Sequence, residues 1–445
     1  MPPSIDSKQN DEPQELWSSS VPGTGSSLLA RVAPVGVILM MILLLGIGLS
    51  MISSATITNP KSNCFQMQIK WIIIGGISCL AGALFKLNFL YRKSHWGLLL
   101  IFFPLAYLTT AAIATKFFGA GSLRFFPFAA SIKGAVRWFR FGTTQIQPSE
   151  FAKVFLVLFL AAYYGRLPRA KIKEFVSGLL IPILASGALL MLVLLGKDLS
   201  STFVTGVMAV GVMFMAGVKL RYMVILLLLG SVLCVGFIAA SPMRRDRIVA
   251  WQHPEEAKDS ESYQLFRSQI CLGIGSLTGK GYSKGYLKTY LPEAHTDFII
   301  AVIGEELGFV GIMFLVLCYL GLCICIMAVA KQCRMREDML LCNGIALLIS
   351  VQAFVNLGVV SGMIPPTGVT APFLSYGGSS LISLMFLIGL VLNVSRRNIQ
   401  AIWDEIGTQR CLPTMQERTQ MPFFQRQQSD EHEISNDNKG DAHNE

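Results

Sequence analysis

"VAPVGVILMMILLLGIGLSMISS", Val32 to Ser54, holds no charged residue. It is longer than the roughly 20 residues a helix needs to cross the hydrocarbon core of a bilayer. Blocks like it recur along the chain, which is 53% hydrophobic and only 14% charged, where soluble domains carry about a quarter charged residues. The sequence is therefore that of an integral membrane protein. The stretch before Arg31 is polar, so no cleavable signal peptide is expected.

Apolar length and breaks place about ten spans, near 32–54, 68–86, 96–115, 149–164, 175–196, 199–218, 222–240, 297–330, 339–362 and 369–394. The fold expected is an all-α polytopic membrane protein. A disordered tail covers 1–30, a ten-helix membrane domain 31–397, and a second polar, disordered tail 398–445. The short loops orient it. Arg92, Lys93, Arg166, Arg169, Lys171, Lys173, Lys219, Arg221, Lys331, Arg334, Arg336, Arg396 and Arg397 all fall on the side of the N-terminus. By the positive-inside rule that side is cytoplasmic, and an even span count puts both termini there.

Two longer segments, 116–148 and 241–296, fall outside, the second between the seventh and eighth spans. They are basic nonetheless, with Arg124, Lys133, Arg137, Arg140, Arg244, Arg245, Arg247, Arg267, Lys280, Lys284 and Lys288. Long loops cross regardless of charge. Their basic residues fit either general attraction to anionic headgroups or a site for a phosphorylated ligand, which Arg forks and Lys charges bind well.

Two other patterns point away from chemistry. Most of the ten cysteines, among them Cys79, Cys234, Cys318, Cys323, Cys325 and Cys342, lie within or at the edge of apolar blocks, and no Cys-x-x-Cys pair occurs. They read as small buried hydrophobes rather than a disulfide or metal framework. "GIGSLTGKGYSKG", from Gly273, resembles a P-loop, but its Gly275 to Gly279 gap is one residue short and Gly281 stands where Ser or Thr should ligate magnesium. Its glycines suit a tight turn or a loop lying flat.

Ionisable groups at membrane depth are costly and mark functional candidates. Glu150 and Lys153 open the fourth span three residues apart, so they share a helix face and can pair. Pro148 suits that helix's first turn. Asp198 sits in a hairpin between apolar runs, Asp297 begins the eighth span, and Glu305 and Glu306 follow two turns deeper, where packing or capping is the plainer role.

"QPSEFAK", "YQLFRSQICLGIGSLTGKG", "YLPEAHTDFIIAVIGEELGFVG" and "GMIPPTGVTAPFLSYGGSS" closely resemble motifs of the SEDS proteins (shape, elongation, division and sporulation). The resemblance runs from about Arg31 to Arg397, and "PEAHTD", "IGEELG" and "SYGGSS" lean towards the family's division branch. It implies about ten spans with both termini inside. It also implies an enzyme of the bacterial cytoplasmic membrane, a peptidoglycan glycosyltransferase that polymerises lipid II at the outer face and releases undecaprenyl pyrophosphate. The family's catalytic aspartate maps onto Asp297. Substrate contacts are expected from Glu150, Lys153, Asp198, Arg244, Arg245, Arg247, Lys280, His295, Ser375 and Tyr376. No cofactor is specified; a divalent cation, Mg2+ or Mn2+, is a candidate counter-charge for the leaving pyrophosphate.

The partner implied is a class B penicillin-binding protein transpeptidase, with other division proteins and no nucleic acid. One motif departs from the family pattern: "KDLSS" stands where Pro-Asp-Leu-Gly-Thr is usual, so Lys197 adds a charge beside Asp198 and favours local pairing. Two alternatives stay open, a lipid II flippase and a non-catalytic scaffold that recruits a transpeptidase. An ion transporter is disfavoured, because the two halves of the chain show no repeat.

Overall fold

The structure is a computed structural model, and it describes residues 24–56, 63–132, 135–142, 144–239, 248, 251–252, 261–291 and 294–411. In chain order come α1 (Thr24–Thr56), α2 (Cys64–Leu84), α3 (Leu87–Arg92) and α4 (Ser94–Phe118), then strands β1 (Ala129–Ile132), β2 (Ala135–Phe141) and β3 (Thr144–Ile146). There follow α5 (Pro148–Arg166), α6 (Arg169–Ile172), a π-helical turn (Val176–Leu180), α7 (Ile181–Leu195), α8 (Leu199–Ala216) and α9 (Leu220–Ala239). The last helices are α10 (Glu261–Gly275), α11 (Ile299–Lys331), α12 (Arg336–Val360) and α13 (Gly378–Cys411).

Eight helical stretches among the described residues are long and apolar enough to cross a membrane: those in α1, α2, α4, α8, α11, α12 and α13, and Val176–Leu195. The protein is thus a polytopic helical membrane protein. Helices fill the other two expected spans as well, α5 and α9. The first carries Glu150, Lys153 and Arg166, and the second is apolar over Leu220–Val232. Many large apolar side chains stay exposed on the outer faces of the bundle, for example Leu100, Leu227 and Val232, as lipid contact requires.

Hydrogen bonds sort the helix ends into two groups. At one end Arg166 pairs with Glu337 (2.8 Å), the Tyr91 hydroxyl donates to Asp338 (2.8 Å), and Arg336 donates to the Ala216 carbonyl (2.5 Å). These contacts gather α3 with the end of α5, the end of α8 and the start of α12. At the other end Ser54 of α1 meets Glu306, the Gln147 N–H donates to Ser379, and Asn356 reaches the carbonyl of Asp297.

Four features differ from the expectations. Segment 116–148 is not all loop: "AVRWFRF" forms the middle strand of a three-stranded antiparallel sheet, with Phe139 opposite Ala129 on one side and Ile146 on the other. Its Val136, Trp138, Phe139 and Phe141 are residues that favour a strand. The last span begins at Gly378, not near 369, because Pro372 and the glycines before it keep 361–377 irregular.

Helices also extend into both expected tails. α1 starts at Thr24, since "SSLLAR" holds no breaker, and α13 continues to Cys411. The remaining tail residues, 1–23 and 412–445, lie outside the described residues. Finally, α11 is two helices. Its 33 residues exceed one span, and Gly308 breaks it with φ 67° and ψ −163°, so Glu305 and Glu306 end a short helix before the span rather than lying within it.

Candidate active site

Asp297 lies in the turn just before α11, half-buried. Three consecutive carbonyls hold that turn. The His295 carbonyl accepts from the Tyr376 N–H (2.8 Å), the Thr296 carbonyl from Ser375 Oγ (2.6 Å), and the Asp297 carbonyl from Asn356 Nδ2 (2.9 Å). Ser375 in turn accepts from the Ala371 N–H, and Asn356 also donates to the Val369 carbonyl. The irregular segment 361–377 is therefore laced to the "HTD" turn. Tyr376 meets the His295 ring edge-on at 5.8 Å. Burial raises the Tyr376 hydroxyl above the ordinary tyrosine range, which keeps it a neutral donor rather than a base. Gly368 sits against Asp297, close enough that a Cβ there would lie 3.4 Å from Oδ2.

A second polar cluster borders the first. Asp198 caps α8 at the Ser201 N–H (3.2 Å), accepts from Gln147 Nε2 (2.8 Å) and Ser149 Oγ (3.0 Å), and pairs with Arg137 of β2 at 3.4 Å. Most of these partners come from far along the chain, and Lys197 beside Asp198 adopts φ 65°. Ser200, the other departure from the family pattern, donates to the Thr367 carbonyl and so ties α8 to the segment that carries Gly368. Glu150 and Lys153 pair at 2.7 Å inside α5, both buried, as their spacing predicts.

A third cluster supports the helix that follows Asp297. Glu306 is 0% exposed and accepts from Lys288 Nζ (2.6 Å), Ser54 Oγ (2.5 Å) and the Ser283 N–H (2.9 Å). Glu305 accepts from the N–H groups of Leu287 (2.7 Å) and Lys288 (3.0 Å). Burial, then the neighbouring Glu305, pushes the Cys271 thiol up to about 12, so it stays protonated and inert.

The break at Gly308 leaves carbonyls without partners on one side and N–H groups on the other. The glycine-rich loop fills both deficits. Lys280 N and Gly281 N donate to the Glu305 and Glu306 carbonyls, while Phe309 N and Val310 N donate to the Ser276 and Leu277 carbonyls. A Cβ on Gly279 would fall 2.1 Å from the Glu306 carbonyl oxygen. The stretch that resembled a P-loop is thus a backbone splice.

Of the expected site residues, Asp297, His295, Ser375 and Tyr376 come together, while Asp198, Glu150 and Lys153 stand at the same end of the bundle on α5 and α8. Lys280 belongs to the splice, with its side chain exposed. Arg244, Arg245 and Arg247 lie outside the described residues. Arg137 and Lys288, expected only as basic loop residues, pair instead with Asp198 and Glu306, and Asn356 joins the site with no expectation attached to it. The signal for Asn356 was a buried amide in an apolar run, a kind of residue that is rarely idle in a membrane. Among the described residues no group of three or more His, Cys, Asp or Glu side chains is placed to hold a metal ion.

The sequence pattern of the family described as "Cell cycle protein" (FtsW, RodA, SpoVE) matches residues 29–400. A probable peptidoglycan glycosyltransferase FtsW of Geobacter metallireducens is 38% identical over 60% of this chain and 71% of its own length. A namesake from Thioalkalivibrio sulfidiphilus is 33% identical over 84% of this chain and 92% of its own. Among solved structures, a chain of a peptidoglycan synthase complex that coordinates polymerization and crosslinking superposes with a TM-score of 0.67 at 26% identity, covering 82% of this chain and 97% of that one. RodA of Thermus thermophilus gives 0.60 at 26% identity, over 82% of this chain and 96% of its own.

Proposed function

The chain belongs to the FtsW, RodA and SpoVE family of cell cycle proteins, and from that premise we propose that it is a peptidoglycan glycosyltransferase polymerising lipid II, with its principal role in septal synthesis. It sits in the bacterial cytoplasmic membrane as a multi-pass protein, with about ten spans and both termini inside. The bundle end that carries Arg166, Arg169, Lys219 and Arg336 is then cytoplasmic, and the end that carries Asp297 faces outward.

The observation that supports the reading is the lock on the "HTD" turn. Hydrogen bonds to three successive carbonyls hold the Asp297 backbone, while the residue is half-buried and its carboxylate lies beside Gly368. A sugar hydroxyl is a poor nucleophile until a positioned base takes its proton, and fixing that base avoids reorganisation during reaction. Asp297 accepts the proton of the acceptor 4-hydroxyl as its oxygen bonds to the donor anomeric carbon. The bond to the pyrophosphate oxygen breaks with inversion, and undecaprenyl pyrophosphate departs. Arg244, Arg245, Arg247 and Lys280 are the basic groups assigned to the leaving charge. His295, Ser375 and Tyr376 shape the acceptor side, and the cluster around Asp198, Glu150 and Lys153 frames it.

A class B penicillin-binding protein is the partner that would crosslink the product, in keeping with the crosslinking named for the related synthase complex. Purified protein given lipid II without ATP separates the readings. Polymer in detergent supports the glycosyltransferase, movement across vesicles without polymer supports a flippase, and neither supports a scaffold.

A further inference from the structure

We propose that the sheet of β1, β2 and β3 rests in the phospholipid interface of the leaflet on the Asp297 side, as an aromatic anchor outside the helical bundle. Its place on α4 sets its depth. The Tyr107 hydroxyl donates to the Pro127 carbonyl (2.7 Å), and the Tyr107 ring meets Phe126 edge-on at 5.5 Å and stacks on Phe139 at 5.7 Å. Leu108, Ala111 and Ala112 of α4 are buried together with Val136 of β2. Before Lys116, α4 carries no Lys, Arg, Asp or Glu, so Lys116 marks where the helix leaves the hydrocarbon. At 1.5 Å per residue, the stretch from Tyr107 to Ala112 lies roughly 6–14 Å below that level. Amphipathic elements seated in the interface reach about 5–10 Å into the headgroup and acyl boundary.

The rings that the sheet leaves uncovered suit that level. Phe128 and Phe141 stack on each other at 5.3 Å, yet both stay exposed, and Phe117, Phe118 and Phe125 in the same segment are each more than 70% exposed. In water such a group is an unfavourable apolar patch, whereas aromatic side chains are favoured at the membrane interface. α4 itself exposes Phe103 below the sheet and Ile113 above it, so a lipid-facing surface runs past the sheet along the same helix.

Charge and backbone agree with this occupant. From Lys116 to Gln147 the chain holds five basic residues, Lys116, Arg124, Lys133, Arg137 and Arg140, and no acid, as a surface beside lipid phosphates requires. Arg137 is turned to Asp198. Lys116, Arg124 and Arg140 are exposed, and such long side chains lay their stems on apolar surface while the charge reaches the headgroups. The middle strand, β2, is paired with a neighbour on each side, which spares its backbone the cost of unpaired groups in lipid. At headgroup level the outer edges of β1 and β3 stay within reach of water.

The test places the photoreactive analogue p-benzoylphenylalanine at Phe128 or at Phe141 of the full chain, reconstituted in nanodiscs of phosphatidylethanolamine and phosphatidylglycerol. The analogue keeps the aromatic ring, and wild-type melting confirms the fold at each position. After illumination, mass spectrometry should find phospholipid adducts at about a third or more of the yield from the same label at Leu100, a lipid-facing position in the middle of α4. Labels at Phe128 and Phe141 in whole cells should again capture phospholipid. A yield below that third at both positions would overturn the proposal, and so would a protein as the main adduct, whether a second copy of this chain or another partner. The readout does not depend on polymerisation and stands whether or not that activity is found.

Discussion

Replacing Lys288 with methionine keeps the apolar stem of the side chain and removes only its charge. Glu306 then stays 0% exposed, held by Ser54 and the Ser283 N–H but without its ion partner. At 2.6 Å and an effective dielectric near 20, the attraction lost is about 6 kcal/mol. Removing the lysine also removes its own desolvation cost, and breaking a buried pair this way typically destabilises by about 3–5 kcal/mol. The two surviving hydrogen bonds to the carboxylate place the expected loss near about 3 kcal/mol. Adding Glu306→Gln removes the stranded charge while keeping an acceptor for Ser283 N, so K288M/E306Q should recover most of the loss. Equilibrium unfolding in mixed SDS micelles, run as a double-mutant cycle, should give a coupling of at least about 2 kcal/mol. Additivity within about 0.5 kcal/mol would refute the claim that this pair holds the short helix after Asp297.

Glu150 and Lys153 should behave alike: each single alanine strands a buried charge, and E150A/K153A should cost less than the sum in the same unfolding assay. Gly308→Ala should destabilise by about 1–3 kcal/mol from backbone conformation alone, and more because its Cβ would meet the Gly279 nitrogen at 2.4 Å; wild-type melting would contradict the splice. Arg→Lys at Arg244, Arg245 and Arg247 keeps charge and removes the guanidinium fork, so polymerisation should slow at unchanged membrane content. An unaltered rate, with and without anionic lipid, would return these residues to general headgroup attraction.

Apolar length alone marked most of the bundle, because a bilayer leaves a helix few alternatives. The same signal hid the break in α11, where apolar residues continue past Gly308 and the conformation of one glycine makes two helices of one run. Only the excess length of 33 residues over one span hinted at it. Glu305 and Glu306 were legible as packing or capping groups. Their partners were not, since Ser54 lies 252 residues from Glu306 in sequence and no local pattern encodes such a contact. The sheet at 129–146 was masked by its arginines, which read as a basic loop until Arg137 met Asp198. Asp297 was legible as an ionisable group at the start of a span and its role as base came by resemblance, whereas the bonds that immobilise its turn come from Asn356, Ser375 and Tyr376 and needed the fold.

Purified full-length protein and its D297N variant, given lipid II in detergent without ATP, test the assignment of the base most directly. Asparagine preserves the shape and the Asn356 contact to the backbone but cannot take a proton. Wild type should yield glycan polymer and D297N none, with equal thermal stability and equal retention of a penicillin-binding partner. Near-normal polymer from D297N would remove Asp297 from the chemistry and contradict the mechanism.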